Sequence, residues 1–271
     1  MALHLIPASA YTVDELTGLY NQARADYLLP MQMTPETFAA YASRHSVDFN
    51  ASLVAEWDGI AAGLALLGLR GERAWITRMG VLREARQAGV GRALVEGLFA
   101  SARAGGASEI QLEVIRENAI GLRLFRSCGF TPVRQLLVLE RAEGYPTAPV
   151  VVPDQTLTTP EAIARLEASG IGYQPSWLEE LPSLRRARRL TGLALGDGAL
   201  IYGDDGARLA PVVLCNADEV TGPALLIALH ERLPERPARK ENVPDDDPQA
   251  GWFAVAGYQV AFERVELRRA L

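Results

Sequence analysis

Ile76-Thr77-Arg78-Met79-Gly80-Val81-Leu82-Arg83-Glu84-Ala85-Arg86-Gln87-Ala88-Gly89-Val90-Gly91-Arg92-Ala93-Leu94 decides how this chain is read. The stretch starts as a strand, passes through a loop containing Arg-x-x-Gly-x-Gly, and runs straight into a helical pattern. The first N–H groups of a helix have no partner inside it. Glycines let such a backbone approach a ligand closely and adopt positive φ. Oriented N–H groups and the positive helix end then suit a phosphate group. The loop is therefore read as a pyrophosphate cradle, although the same glycines also serve as plain turn and cap residues. A dinucleotide fingerprint would want a third glycine three residues after Gly91, where Leu94 stands. That favours a pyrophosphate ligand other than NAD.

Outward from this stretch the chain reads as mixed α/β. Residues 4–6 form a short strand, and residues 11–27 have helical spacing with Thr12 as a candidate N-cap. Thr34-Pro35-Glu36 opens a second helix. Three strands follow at 51–57, 61–69 and 73–81, with Asp58-Gly59 as a hairpin turn. The helix at 92–104 ends at Gly105-Gly106, before a strand at 109–115, a short helix at 118–127 and a strand region at 131–140. The order is β-α-α-β-β-β-α-β-α-β.

Two motifs, in this order and on these element types, resemble those of the GNAT superfamily of acetyl-CoA-dependent N-acetyltransferases. Val81 with Arg86-x-x-Gly89-x-Gly91 resembles its acetyl-CoA motif. Asn118, Leu124-Phe125 and Gly129-Phe130 resemble its second motif, which is usually Asn, then Leu-Tyr, then Gly-Phe. The likeness covers about residues 1–142. It implies a splayed pair of strands, here 73–81 and 109–115, with the pantetheine arm between them. Backbone groups of Met79 and Val81 would hold the arm and polarise the thioester carbonyl. Arg86 belongs to the motif, and the N–H groups of Gln87, Ala88, Gly89, Val90, Gly91 and Arg92 would hold the pyrophosphate. Asn118 would hydrogen-bond the arm, and Phe125 would wall it. The family's usual acid is the Tyr of Leu-Tyr, and Phe125 cannot donate. The nearest carboxylate for a general base is Glu113, whose plainer reading is a surface or paired strand residue. Tyr20, Tyr27, Tyr41 and His45 fall in the helical region that shapes the acceptor site in the family, and packing is their plainer reading. Cys128 reads as a small buried hydrophobe.

Residues 144–153 carry three prolines and read as a linker or edge strand. Beyond them the same order recurs. Thr159-Pro160-Glu161 opens a helix as Thr34-Pro35-Glu36 does. A helical stretch at 176–188 is kinked or divided by Pro182. Strands follow at 193–195, 199–202 and 208–215, then a helix at 224–232. Ala256-Gly257-Tyr258 before residues 262–267 parallels Cys128-Gly129-Phe130 before residues 136–139. The expected fold is thus a GNAT-type mixed sheet present twice in tandem, with domains at 1–145 and 146–271; an unrelated C-terminal α/β extension is the alternative. The second copy's counterpart of the cradle is Asn216-Ala217-Asp218-Glu219-Val220-Thr221-Gly222-Pro223. One glycine, a proline without N–H and two acids predict a degenerate copy that does not bind CoA.

Composition fits this reading. The chain of 271 residues is 49% hydrophobic and 22% charged, as in a soluble globular protein. Its longest apolar run, 59–69, is far short of the ~20 residues of a membrane span. The N-terminus shows no basic segment followed by an apolar one, so a cytoplasmic location is expected. A net charge of −6 argues against nucleic acid, and fits a cationic substrate. Cys128 and Cys215 lack ligand-like neighbours and the three histidines are scattered, so no metal is expected. Lys240 is the only lysine, read as the codon bias of a GC-rich prokaryotic genome. The expected activity is transfer of an acetyl group from acetyl-CoA to an amine of a small molecule or peptide. The alternative is a noncatalytic acyl-CoA-binding or interaction protein. A tandem chain is compatible with a monomer or a homodimer.

Overall fold

Thr12 and Thr34 begin their helices through reciprocal caps. The Thr12 N–H donates to the Glu15 carboxylate at 2.8 Å, and the Glu15 N–H donates back to the Thr12 hydroxyl at 3.2 Å. Thr34 and Thr37 make the same pair of bonds. In the second half the cap is Thr158 with Glu161, one residue before the expected Thr159. These contacts are seen in a computed structural model, which describes residues 2–29, 31–144, 152–187 and 189–271. The expected domain boundary at 145/146 lies outside the described residues.

In chain order the first repeat is β1 (Leu3–Pro7), α1 (Val13–Ala23), α2 (Pro35–Arg44), β2 (Leu53–Trp57), β3 (Ile60–Arg70), β4 (Arg73–Val81), α3 (Val90–Ala104), β5 (Glu109–Ile115), α4 (Ala119–Ser127) and β6 (Thr131–Arg141). The second is β7 (Gln155–Leu157), α5 (Thr159–Ser169), α6 (Leu181–Arg185), β8 (Leu190–Leu195), β9 (Gly198–Asp204), β10 (Leu209–Cys215), α7 (Thr221–Arg232), β11 (Ala238–Pro244), α8 (Gln249–Val255) and β12 (Gln259–Ala270). The element order is the same in both.

Two differences from expectation have local causes. Helix α1 stops at Ala23 because the chain turns at Arg24, whose carbonyl accepts from the Tyr27 N–H at 3.0 Å. Among the described residues of the stretch 176–188 the only helix is the short α6, and Pro182 stands in its first turn rather than breaking it.

The chain divides into two compact units, Met1–Val133 with Val265–Leu271, and Arg134–Arg264. The strand order is β1-β2-β3-β4-β5-β12 in the first and β6-β11-β10-β9-β8-β7 in the second. Each repeat's last strand thus completes the other repeat's sheet. In the first unit the Leu271 N–H donates to the Ser108 carbonyl at 2.9 Å, and Leu267 is fully buried in the core.

Strand β3 is buried on both faces, so its alternation divides two cores. Ala65 and Leu67 pack with Leu94, Leu98 and Ala102 of α3. Leu64 and Leu66 pack with Leu16 and Tyr20 of α1 and Phe38 of α2. Each fully buried leucine contributes about 1.5–3 kcal/mol through the apolar surface it removes from water. In the second unit α7 packs on one side with Leu225 and Leu229, and α5 and α6 on the other with Leu166 and Leu184.

One histidine is buried in each unit. Burial holds His45 neutral, its pKa lowered to about 2, and His230 likewise, lowered to about 3. The unfolded chain protonates both near pH 6.5 and the fold does not, so stability falls as the pH falls below that value. Between pH 7 and pH 5.5, before carboxylates titrate, each unit should lose about 1 kcal/mol on this account. Denaturant titrations at the two pH values check this; equal stabilities would contradict it.

Candidate active site

Strands β4 and β5 are parallel partners only over Arg73↔Glu109, Ala74↔Ile110 and Trp75↔Gln111. Beyond Trp75 they part, although β4 continues to Val81 and β5 to Ile115. On its other side β4 carries one extra residue against β3, between the pairs Leu66↔Thr77 and Leu64↔Gly80. The bulge is centred on Arg78, a non-glycine residue at φ 47°. Such a backbone costs of order 1–3 kcal/mol and collects at functional sites. Gly80 lets the end of α1 rest on β4, because a Cβ there would stand 2.8 Å from the Ala23 Cβ.

The loop after β4 turns at Gln87, φ 64°, and Gly89, φ 85°, and enters α3 with Gly89 as N-cap. No side chain caps this helix. Among the described residues, no protein acceptor bonds the N–H groups of Gln87, Ala88, Gly89, Val90, Gly91 or Arg92. A Cβ on Gly91 would lie within 4 Å of Leu124, Met79 and Val81. The start of α3, the end of β4 and α4 therefore meet at one place.

Residues 16–130 match the sequence model of the acetyltransferase (GNAT) family. They are a GNAT acetyltransferase domain. No curated protein matches the chain. The chain is similar in fold to the GCN5-related N-acetyltransferase of Sphaerobacter thermophilus, at 17% identity and a TM-score of 0.71, over 99% of this chain and 95% of that one. It is also similar to a tandem GNAT protein from the clavulanic acid biosynthesis pathway, at 16% identity and a TM-score of 0.68, over 99% and 98% of the two chains. At these identities the likeness is one of fold, a GNAT-type mixed sheet present twice in tandem.

Several side chains of the GNAT domain serve its own framework. The Arg86 guanidinium grips the Asp26 carboxylate at 2.6 and 2.7 Å, and also donates to the Val81 and Ala23 carbonyls. It ties the loop to the turn after α1, and its guanidinium holds Asp26 below the usual carboxylate range. Arg92 turns away to donate to the Ser127 hydroxyl at 2.8 Å. Both guanidinium groups are thus engaged away from the start of α3. Asn118 caps α4 by accepting from the Gly121 N–H at 2.9 Å, and donates to the Tyr27 hydroxyl at 3.1 Å. Phe125 is buried with its ring 5.8 Å from that of Phe130. Cys128 is buried, and burial raises its thiol pKa, as befits a packing residue.

Glu113 accepts from the Trp75 indole N–H at 2.7 Å. Around them gather Tyr41, whose hydroxyl meets that of Thr77 at 2.6 Å, and His45, whose ring lies 4.6 Å from Tyr41. Burial pushes the Tyr41 hydroxyl up from its ordinary pKa. Asp26, Tyr27 as partner of Asn118, Trp75 as partner of Glu113, and the Arg78 bulge were not found from sequence. Their partners stand tens of residues away, and no local pattern announces them.

The second unit treats its corresponding helix differently. The Asp218 carboxylate accepts from the Val220 and Thr221 N–H groups at 3.0 and 2.8 Å, occupying the start of α7. A Cβ on Gly222 would stand 2.5 Å from the Trp252 ring, so this glycine admits a packed indole.

Proposed function

We propose that the first unit transfers an acetyl group from acetyl-CoA to an amine of a small molecule or peptide. The observation that carries this is the row of N–H groups from residue 87 to residue 92, lying where β4 and β5 part. That row and the positive end of α3 would take the pyrophosphate. The pantetheine arm would lie in the gap, against the backbone of Met79 and Val81, with the second amide hydrogen of Asn118 within its reach. The acceptor nitrogen would attack the thioester carbon directly. The C–N bond forms, the C–S bond breaks, and the electron pair leaves on sulfur. A main-chain N–H beside the Arg78 bulge would meet the oxygen as it gains charge. Glu113 would take the amine proton, directly or through one water. The second unit would bind no CoA, because Asp218 already holds an anion at its helix start.

Phe125 favours a second reading, a noncatalytic acyl-CoA-binding protein, because the usual acid is missing. A well-placed general acid contributes about 10²–10⁴-fold. A CoA thiol ionises not far above neutrality, so its thiolate leaves tolerably without one. Phe125→Tyr should therefore change kcat by less than about tenfold, and Phe125→Ala should mainly weaken binding. Release of CoA thiol with a panel of amines is the measurement. A hundredfold acceleration in Phe125→Tyr would contradict the acid-free mechanism. Tight acetyl-CoA binding with no amine acetylated would favour the second reading.

A further inference from the structure

We infer that the acceptor carries an anionic group, a carboxylate or a phosphate, close to its amine, and that Arg24 and Arg78 bind it; this rests on the acyl-transfer reading above.

Both guanidinium groups lie beside the tyrosines of the helical region. Arg24 lies over the Tyr27 ring at 3.6 Å, and Arg78 over the Tyr41 ring at 3.7 Å. The two converge on one ring, that of Tyr20, at 5.5 and 5.7 Å. The Nε of each is buried and has no hydrogen-bond partner. Among the described residues neither meets a carboxylate, whereas in the same unit Arg86 pairs with Asp26, Arg92 with Glu96 and Arg268 with Glu109. Aromatic faces offset part of the cost of withdrawing a guanidinium from water, but they satisfy no N–H. Two such forks with donors unspent make a site for a planar or tetrahedral oxyanion.

Position links that site to the reaction. Arg78 is the bulge residue of β4, one position before Met79, and Thr77 on its other side meets Tyr41. Arg24 ends α1, and a Cβ on Gly80 of β4 would come within 3.7 Å of its Cγ. An oxyanion held between the two would place a nearby amine along the parted strands, on the side that Tyr41 and Glu113 also face. The net charge of −6 suggested a cationic substrate, and the local charge of the acceptor region is the opposite.

The test compares matched acceptors: phenylalanine with phenethylamine, and O-phosphoethanolamine with ethanolamine. CoA thiol release is measured with wild type, Arg24→Gln and Arg78→Gln. A charge-assisted contact predicts that the anionic member of one pair is preferred by about 10–100-fold in kcat/KM. Either substitution should shrink that ratio through the KM for the amine. The pair that shows the preference tells carboxylate from phosphate. Equal or better use of the neutral members would overturn the inference and leave acyl transfer standing. So would variants that raise the KM for acetyl-CoA instead, since the guanidiniums would then belong to the CoA site. If no amine is turned over, the acyl-transfer reading fails, and calorimetry with 3-phenylpropionate and inorganic phosphate decides the inference. Binding lost in both variants supports it; no binding to wild type overturns it.

Discussion

Gly89→Glu should abolish the thermal stabilisation that acetyl-CoA confers on the protein. At 100 times its dissociation constant a ligand of the folded state adds about 2.7 kcal/mol to its stability, a shift easily seen in a melt. Gly89 stands at φ 85°, and no atom lies within 4 Å of the Cβ it lacks. A glutamate there meets no packing obstacle, so the fold pays only the backbone strain of a side chain at positive φ. Its carboxylate would stand among N–H groups that, among the described residues, no protein acceptor bonds, and would repel a pyrophosphate. Gly91→Glu should act the same way with more cost to stability, because a Cβ there already comes within 3.2 Å of Leu124. Melting each folded variant with and without acetyl-CoA checks this. An undiminished shift in both would refute the cradle.

Lys240→Met should destabilise the second unit by about 3–5 kcal/mol, as breaking one side of a buried ion pair does. Lys240 is fully buried, and its ammonium group donates to the Glu179 carboxylate at 2.5 Å. The Tyr173 hydroxyl reaches the same oxygen at 3.1 Å, while Oε1 of Glu179 is buried without a hydrogen bond. Without the lysine, a carboxylate stays buried with a tyrosine as its one hydrogen-bonding partner among the described residues. Burial already raises the Glu179 pKa, and losing the cation raises it further. A raised carboxyl is relieved by protonation, so the defect should shrink as the pH falls from 7 toward 5. The double variant Lys240→Met/Glu179→Leu should recover much of the loss, since replacing a whole buried pair by apolar side chains is often neutral. Denaturant titration of the three proteins decides. A loss below about 1 kcal/mol in the single variant, the range of an exposed pair, would mean that this pair is not desolvated.

The glycine turn into α3 was legible because its signal is local: the glycines and the helix start all lie between Arg86 and Leu94. The same holds for the threonine caps and for the repeated element order. The exchange of β6 and β12 was not legible. Both are strands that follow a Gly-aromatic pair, and nothing in that pattern says which sheet a strand will complete. Strand β11 was missed because Arg239, Lys240 and Glu241, three charged residues in a row, carry no apolar alternation. In the fold they are spent on Glu140, Glu179 and Arg264. In the candidate site, sequence could not show which protein groups the side chains of Arg86, Arg92 and Asn118 would meet. Arg86 of the motif could not announce Asp26, 60 residues away, as its partner. Arg24 and Arg78 gave no sign, because an unpaired arginine is recognised only once its surroundings are folded.

The central claim is a single acyl-CoA site, carried by the first unit. Calorimetric titration of the whole chain with acetyl-CoA tests it most directly. The expected result is one site per chain in wild type and none in Gly89→Glu, because Asp218 already fills the helix start of the second unit. Two sites per chain, or one site that survives Gly89→Glu, would contradict the account.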